Sequence, residues 1–338
     1  MVHKISADRP ASFLSGGYLF VISKQMCSVF DLSNKAQPSH LSDIELTRDR
    51  SDTGTFFSGL LNGKAYFDIG YDGVDVFDLE DPRKPAHLGV INSFSMAKSC
   101  SIDKNLQLTR MNKTILYDMV DPIRPNAVFD FQKMATDFLV VGNYLLMTDP
   151  ENGIDAYDIS TPTAPMKVAN LKIGAMRIFR HDDTTLITDG KNYEMCLLDI
   201  GNFPNISLIS EVRLKGYLVN CENKFVFSRL GRTTPQDTIY GYHLDNLKPK
   251  QIVSIASSWV TNQVVNGQLL LLQGIKGYDG ISPLPNYKTQ RYSVFEMQAE
   301  KIKLTGTLDL EGIFFSSMHL LERTVYIARP NGIYIYQV

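Results

Sequence analysis

The stretch VDVFDLEDPRKPAHLGVI, residues 74–91, reads as a strand, a polar turn with two prolines, and a second strand. Forty residues later the chain has TILYDMVDPIRPNAVFDF (114–131), and forty residues after that IDAYDISTPTAPMKVANL (154–171). A fixed period of this length is typical of repeat architectures, in which each copy is one supersecondary unit. The repeat, and not any single residue, therefore indicates the fold class.

The shortest repeated phrase is a hydrophobic residue, an aromatic or aliphatic residue, an acid and an aliphatic residue. It is clear in the first five copies, such as VFDLE and AYDIS, and degenerate in three later ones. Successive copies are 40 to 53 residues apart and fill the chain of 338 residues. The third residues of the phrase are Asp31, Asp78, Asp118, Asp158, Asp199, His243, Glu296 and Gln337.

Each copy contains up to four short segments that are rich in Val, Ile, Leu, Phe and Tyr and bounded by Gly, Asn, Asp and Pro. These are strand signals, and no segment of helical length shows a 3.6-residue apolar period. Four antiparallel strands repeated eight times predict an all-β, eight-bladed β-propeller. We expect one domain over residues 1–338.

The two ends of the chain complete this prediction. The last copy stops after its third strand, whereas the chain begins with a short alternating segment, VHKISAD, at residues 2–8. We expect this segment to supply the fourth strand of the last blade.

Two copies carry a resemblance to a known family. GKAYFDIGYDGVDVFDLEDPRKPAHLGVI (63–91) and NYLLMTDPENGIDAYDISTPTAPMKVANL (143–171) resemble the LVIVD repeat of bacterial and archaeal propeller proteins. The resemblance implies a β-propeller and says little about activity, because a fold does not determine a function.

Charge and composition exclude several partners. With 34 basic and 36 acidic residues the net charge is −2, so we expect no nucleic-acid partner. No apolar run is long enough to cross a bilayer, so no membrane partner is expected. The cysteines have no metal-type spacing, which indicates reduced thiols in a cytoplasm, although a secreted form that has lost a signal peptide stays open. They are Cys27, Cys100, Cys196 and Cys221.

Most repeated polar residues have a structural interpretation. An aspartate before a turn accepts backbone N–H groups, so we predict turn capping for the five phrase aspartates. Asp68, Asp149 and Asp189 end second strands and suggest a carboxylate cluster, but turn capping explains each singly. Pro85, Pro125 and Pro165 enter outer strands, where a missing N–H is tolerated. We expect no metal and no cofactor.

Function on a propeller usually lies in the loops that interrupt the repetition. The long insertions at 47–57, 228–241 and 274–292 are all of the kinds that we predict to open on one face. Arginine offers a planar fork to anions and tryptophan a stacking surface. The candidate ligand- or partner-binding residues are Arg48, Arg50, Phe57, Arg229, Arg232, Trp259, Lys276, Tyr278, Tyr287 and Arg291.

Two functions remain open from the sequence. The first is a binding or scaffold protein whose loop-rich face recognises a partner protein or peptide. The alternative is an enzyme that acts on a small anionic or carbonyl-containing molecule in the central funnel. In that case Asp137 and Lys98 are the acid–base candidates, and Arg177 or Arg110 would stabilise developing negative charge. No nucleophile elbow or phosphate-binding loop is present in the sequence.

Overall fold

The computed structural model describes residues 1–47, 56–69, 73–92, 99–101, 106–110, 113–190, 194–222, 224–230, 237–245, 247–257, 260–265, 268–275, 289–298, 301–311 and 317–337. These residues form 32 β-strands and no helix. The strands pair, always antiparallel, into eight four-stranded sheets, as the repeat predicts. By packing, the chain divides into two compact units, so the expectation of a single domain stays a prediction.

The first unit comprises residues 1–134, 162–164 and 314–337. It contains three sheets of consecutive strands and one sheet that joins the two ends of the chain. The consecutive sheets are β2 (Ala11–Ser15), β3 (Tyr18–Ser23), β4 (Met26–Asp31) and β5 (Ser39–Glu45); β6 (Phe56–Leu61), β7 (Lys64–Asp68), β8 (Val74–Asp78) and β9 (Ala86–Ile91); and β10 (Ser99–Ser101), β11 (Leu106–Arg110), β12 (Thr114–Asp118) and β13 (Asn126–Asp130).

The end-joining sheet confirms the prediction for the N-terminal segment. Its strands are β1 (His3–Ile5), β30 (Met318–Leu321), β31 (Thr324–Arg329) and β32 (Gly332–Gln337). β1 pairs with β32 so that Lys4 lies opposite Tyr334, and the sheet order is β1-β32-β31-β30. The first strand of the chain thus supplies the missing fourth strand, and it protects the edge of β32.

The second unit comprises residues 135–161 and 165–313. Its four sheets are all of consecutive strands. They are β14 (Asp137–Val141), β15 (Tyr144–Asp149), β16 (Gly153–Asp158) and β17 (Met166–Leu171); β18 (Ile178–Arg180), β19 (Thr185–Asp189), β20 (Glu194–Asp199) and β21 (Ser207–Arg213); β22 (Tyr217–Glu222), β23 (Phe225–Leu230), β24 (Asp237–Asp245) and β25 (Lys248–Ser257); and β26 (Val260–Val265), β27 (Gln268–Ile275), β28 (Thr289–Gln298) and β29 (Lys301–Glu311).

First strands of successive sheets pack side by side within each unit. β2 contacts β6 and β30 in the first unit, and β14, β18, β22 and β26 contact one another in that order in the second. In seven sheets the register between the third and fourth strands shifts at the same point of the phrase, for example between Val76 and Phe77 and between Ala156 and Tyr157. Such a bulge bends the outer strand at a constant position.

The phrase aspartates cap the turns that follow them, as predicted. Each carboxylate accepts the backbone N–H two residues later, at 2.7–3.1 Å. In Asp78 and Asp158 this hydrogen bond is the main reason that the pKa lies below its usual value. The prolines are also where they were expected, since Pro85, Pro125 and Pro165 each immediately precede an outer strand.

Apolar side chains between neighbouring sheets form the cores. Between the sheets of β2–β5 and β6–β9, Phe20, Phe57, Phe67 and Phe77 pack together with Ile22. A comparable cluster joins the sheets of β14–β17 and β18–β21 and includes Leu146, Ile154 and Leu186. Within each unit, neighbouring sheets therefore bury apolar faces against each other, which is how repeats that are unstable alone become stable together.

Candidate functional site

Most of the predicted binding and catalytic residues lie outside the described residues. This holds for Arg48, Arg50, Lys98, Arg232, Trp259, Lys276, Tyr278 and Tyr287, and for the side chain of Arg110. Their roles stay predictions. The site residues whose side chains the structure describes are Phe57, Asp137, Arg177, Arg229 and Arg291.

Phe57 belongs to the core. Only 8% of it is exposed, and its ring stacks on that of Phe20 with the centroids 4.4 Å apart. The rings of Phe67 and Phe13 lie at 5.5 and 5.8 Å. This packing accounts for a phenylalanine at position 57 without any ligand.

Arg291 is held by an acidic neighbour on the adjacent strand. Its Nε and one terminal nitrogen donate to the two carboxylate oxygens of Asp309, both at 2.8 Å. This fork lowers the pKa of Asp309 and raises that of Arg291. Arg229 is half-buried on β23, opposite Tyr217 and Ile239 in the sheet register.

Asp137 and Arg177 stand at the beginning of neighbouring first strands in the second unit. Oδ2 of Asp137 accepts the backbone N–H of Ile178 at 3.1 Å, which joins β14 to β18. One terminal nitrogen of Arg177 donates to the carbonyls of Leu218 and Val219 at 2.9 and 3.2 Å, which joins the segment before β18 to β22. Both groups predicted for acid–base or charge-stabilising roles thus hold adjacent sheets together.

Asp189 completes this arrangement. It accepts the backbone N–H groups of Met176 and Arg177 through one oxygen, at 2.8 and 2.7 Å. Burial raises its pKa, and the two N–H groups and the Arg177 charge oppose that rise. Asp149 does cap its own turn, through the N–H groups of Glu151 and Asn152. Among the described residues no three His, Cys, Asp or Glu side chains converge on a metal position.

A buried aspartate in the first unit was not singled out from the sequence. Asp75 on β8 is 0% exposed. Its carboxylate accepts the backbone N–H and the hydroxyl of Thr47, at 2.8 and 2.6 Å, and lies 3.1 Å from Nε2 of His87. Thr47 follows the outer strand of one sheet, whereas Asp75 and His87 belong to the next. The aspartate therefore joins two sheets beside a half-exposed imidazole.

Comparisons with known proteins agree with this architecture. The C-terminal WD40 domain of Sif2 superposes with a TM-score of 0.65 at 10% identity, covering 100% of this chain and 97% of that one. Saccharomyces cerevisiae Sqt1 gives 0.61 at 8% identity, covering 99% and 98%. The computationally designed protein Ika8 gives 0.62 at 10% identity, covering 98% and 96%. WD40 domains are β-propellers, so with eight four-stranded sheets the fold is an eight-bladed β-propeller.

Residues 132–172 match the profile of the LVIVD repeat. The chain carries an LVIVD repeat. The match covers the sheet of β14–β17, and together with the propeller neighbours it agrees with an LVIVD β-propeller family. No curated protein sequence matches the chain at a significant level. The described residues include no helix that is long and apolar enough to cross a membrane.

A comparison of two copies of the LVIVD repeat could have predicted the buried Asp75 from the sequence. Asp155, within the matched stretch, occupies the repeat position of Asp75, and Lys167 occupies that of His87. Asp155 is 6% exposed and accepts from Lys167 at 2.6 Å. An acid at an inward position of an apolar strand, with a basic residue two positions after the proline in both copies, predicts a buried carboxylate that contacts a basic side chain of the outer strand.

We expect Arg177→Met to lower the free energy of unfolding by about 1–3 kcal/mol, because two partly buried carbonyls lose their donor. Urea denaturation of the variant and the parent protein measures this. Arg180→Met is the matched control, since Arg180 is 48% exposed and pairs with Asp183, which is 99% exposed. Its effect should stay within about 0.5 kcal/mol. Equal effects of the two substitutions would contradict the structural role of Arg177.

Proposed function

We propose that this protein is a binding or scaffold protein whose propeller recognises a partner protein or peptide through its long loops. The observation that carries the proposal concerns Asp137 and Arg177, the two catalytic candidates whose side chains the structure describes. Asp137 binds the N–H of Ile178, and Arg177 binds the carbonyls of Leu218 and Val219. Groups engaged with backbone in this way serve to hold a rigid framework.

A rigid framework with variable loops suits recognition. The same bulge recurs in seven sheets and the same turn cap in five copies of the repeat, and in the sequence the insertions at 47–57, 228–241 and 274–292 interrupt this repetition. The insertions contain arginine and tyrosine, which are enriched among the residues that contribute most to protein–protein affinity. The proposal places the partner on these loops.

The test is quantitative capture of partners from an extract of the source cells, with the immobilised protein and mass spectrometry. The triple variant Arg232→Ala, Tyr278→Ala, Tyr287→Ala should lower capture of a specific partner at least about tenfold, since hot-spot residues each contribute more than about 1 kcal/mol. Asp183→Ala, in the short turn between β18 and β19, is the control and should leave capture unchanged. Undiminished capture by the triple variant would show that another surface binds the partner.

A further inference from the structure

The connection between β1 and β2 is strained at Arg9. The φ angle of Arg9 is +43°, in the left-handed region that residues other than glycine rarely adopt. Arg9 also precedes Pro10, and the residue before a proline prefers an extended conformation. The turn is held by the N–H of Arg9, which donates to the carbonyl of Pro330, and by the hydroxyl of Ser23, which donates to the carbonyl of Asp8, both at 2.7 Å. Extending this connection would release the strain at Arg9.

The contacts of β1 with β32 do not depend on the path of that connection. β1 has three residues, and each is only partly buried. Lys4 lies opposite Tyr334, with its ammonium 5.1 Å from the centroid of the tyrosine ring. The N–H of Val2 donates to the carbonyl of Ile335 at 2.9 Å, and Ile5 packs against the buried cluster that contains Ile335. The β1 strand of a second copy of this chain can make the same contacts.

The connection is long enough and exposed enough to extend. Residues 6–10 reach about 17 Å when fully extended, at about 3.4 Å per residue. Ser6, Asp8 and Arg9 are exposed. The salt bridge of Asp8 with Lys24 joins side chains that are 61% and 68% exposed, so it holds the connection only weakly. A short hinge under strain is the feature that favours exchange of an element between identical chains.

We propose that two copies of this protein exchange β1, so that β1 of each copy pairs with β32 of the other. The exchanged pair keeps the hydrogen bonds between β1 and β32, because the edge that receives the strand is the same in both copies. The two states differ in the connection, which is extended in the pair and turned back at Arg9 in the closed chain. A tethered strand has an effective concentration of about millimolar, so the pair forms at high protein concentration.

This interface is a property of the β1–β32 edge and does not use the loops of the proposed function. Loss of partner capture in the loop variant therefore leaves the exchange untouched. A chain that does not exchange β1 likewise leaves the loop surface untouched. Either proposal can fail without the other.

The experiment is formation of a mixed disulfide between two variants of the full-length chain, Lys4→Cys and Tyr334→Cys. Positions 4 and 334 are directly opposite in the β1–β32 register, which is close enough for a cross-strand disulfide. Each variant carries only one of the two new thiols. A disulfide that joins position 4 to position 334 therefore requires β1 of one copy to lie on β32 of the other. We expect this link by non-reducing electrophoresis and peptide mass spectrometry after the variants are mixed at high concentration and oxidised.

The control for chance collisions pairs Tyr334→Cys with Asp183→Cys, since Asp183 is 99% exposed in the turn between β18 and β19. Its mixed disulfide should be at least about tenfold less abundant, because the ordered ladder holds positions 4 and 334 together. The native Cys27, Cys196 and Cys221 are buried. Equal yields of the two mixed disulfides, or no link between positions 4 and 334, would overturn the proposal.

Substitutions at Arg9 test the strain in the hinge. Arg9→Gly and Arg9→Ala both remove the arginine side chain, but only glycine adopts the left-handed conformation without strain. Arg9→Gly should therefore favour the closed chain, and the dissociation constant of its exchanged pair should be at least about tenfold above that of Arg9→Ala. Analytical ultracentrifugation measures both constants. Equal constants would overturn the role of the hinge.

Glu322 provides the matched control for the hinge. Its φ angle is +54°, in the turn between β30 and β31, which exchange of β1 leaves unchanged. Glu322→Gly and Glu322→Ala should therefore have the same dissociation constant. A chain that carries both Lys4→Cys and Tyr334→Cys, oxidised when dilute, has β1 locked on its own β32 and should stay monomeric. Pairing of this locked chain would show that another surface forms the dimer, and would overturn the exchange.

Discussion

Replacing Phe57 with alanine should lower the free energy of unfolding by about 3–5 kcal/mol, the usual cost of removing a buried aromatic ring. The ring is 8% exposed, stacks on Phe20, makes an edge contact with Phe67 and packs against the tilted ring of Phe13. Its removal leaves a cavity between two sheets, and the interactions between aromatic rings are lost as well. The shift of the urea midpoint measures the loss.

Phe57→Leu is the control for this substitution. Leucine keeps most of the buried volume, so its cost should be well below that of alanine, about 1–1.5 kcal/mol. A loss below about 1 kcal/mol for Phe57→Ala would contradict the core position, since substitutions at exposed sites usually have effects of about 0.5 kcal/mol or less. It would instead favour the ligand-facing position that the sequence predicts.

Gly153→Ala should lower the free energy of unfolding by about 3–4 kcal/mol, for two reasons that add. The φ angle of Gly153 is +92°, which side chains of L-residues rarely adopt. In addition, an added Cβ would collide with the carbonyl oxygen of Leu171 on the adjacent outer strand. Backbone has to move, because a carbonyl in a β-ladder cannot turn away as a flexible side chain does.

The control for Gly153 is Gly142, in the same sheet. Its φ angle is +57°, and an added Cβ would have no heavy atom within 4 Å. Gly142→Ala should therefore lower the free energy of unfolding only by the cost of holding alanine in a left-handed conformation, about 1–2 kcal/mol. Thermal or urea denaturation of both variants separates conformational strain from collision. Equal losses would contradict the collision with Leu171.

The roles of residues that contact only their near neighbours in the chain were predictable from the sequence. The phrase aspartates cap turns two residues away, and the prolines precede outer strands, because both effects depend only on local chain order. The eight sheets and the position of β1 beside β32 follow from the period of the repeat and from the one strand that the last copy lacks. The propeller fold was therefore accessible without coordinates.

Only the tertiary structure showed the roles of four residues in packing and hydrogen bonding: Phe57, Asp75, Arg177 and Asp189. Phe57 looks like a loop-proximal aromatic until Phe20 of the neighbouring sheet is placed against it. Arg177 reaches carbonyls 41 and 42 residues away, and Asp75 accepts from Thr47, 28 residues away. The partners of Phe57, Arg177 and Asp75 come from a neighbouring copy of the repeat, and their positions are set by how two sheets pack.

The sequence by itself determined the number of sheets, their strand order and the closing role of the first strand, because period and polarity specify hydrogen-bonded neighbours within a copy. The tertiary structure alone decided which polar side chains hold neighbouring sheets together. The physical reason is that Asp75 is buried where it contacts Thr47, which follows one sheet, and His87 of the next sheet, and no single copy of the repeat contains all three residues.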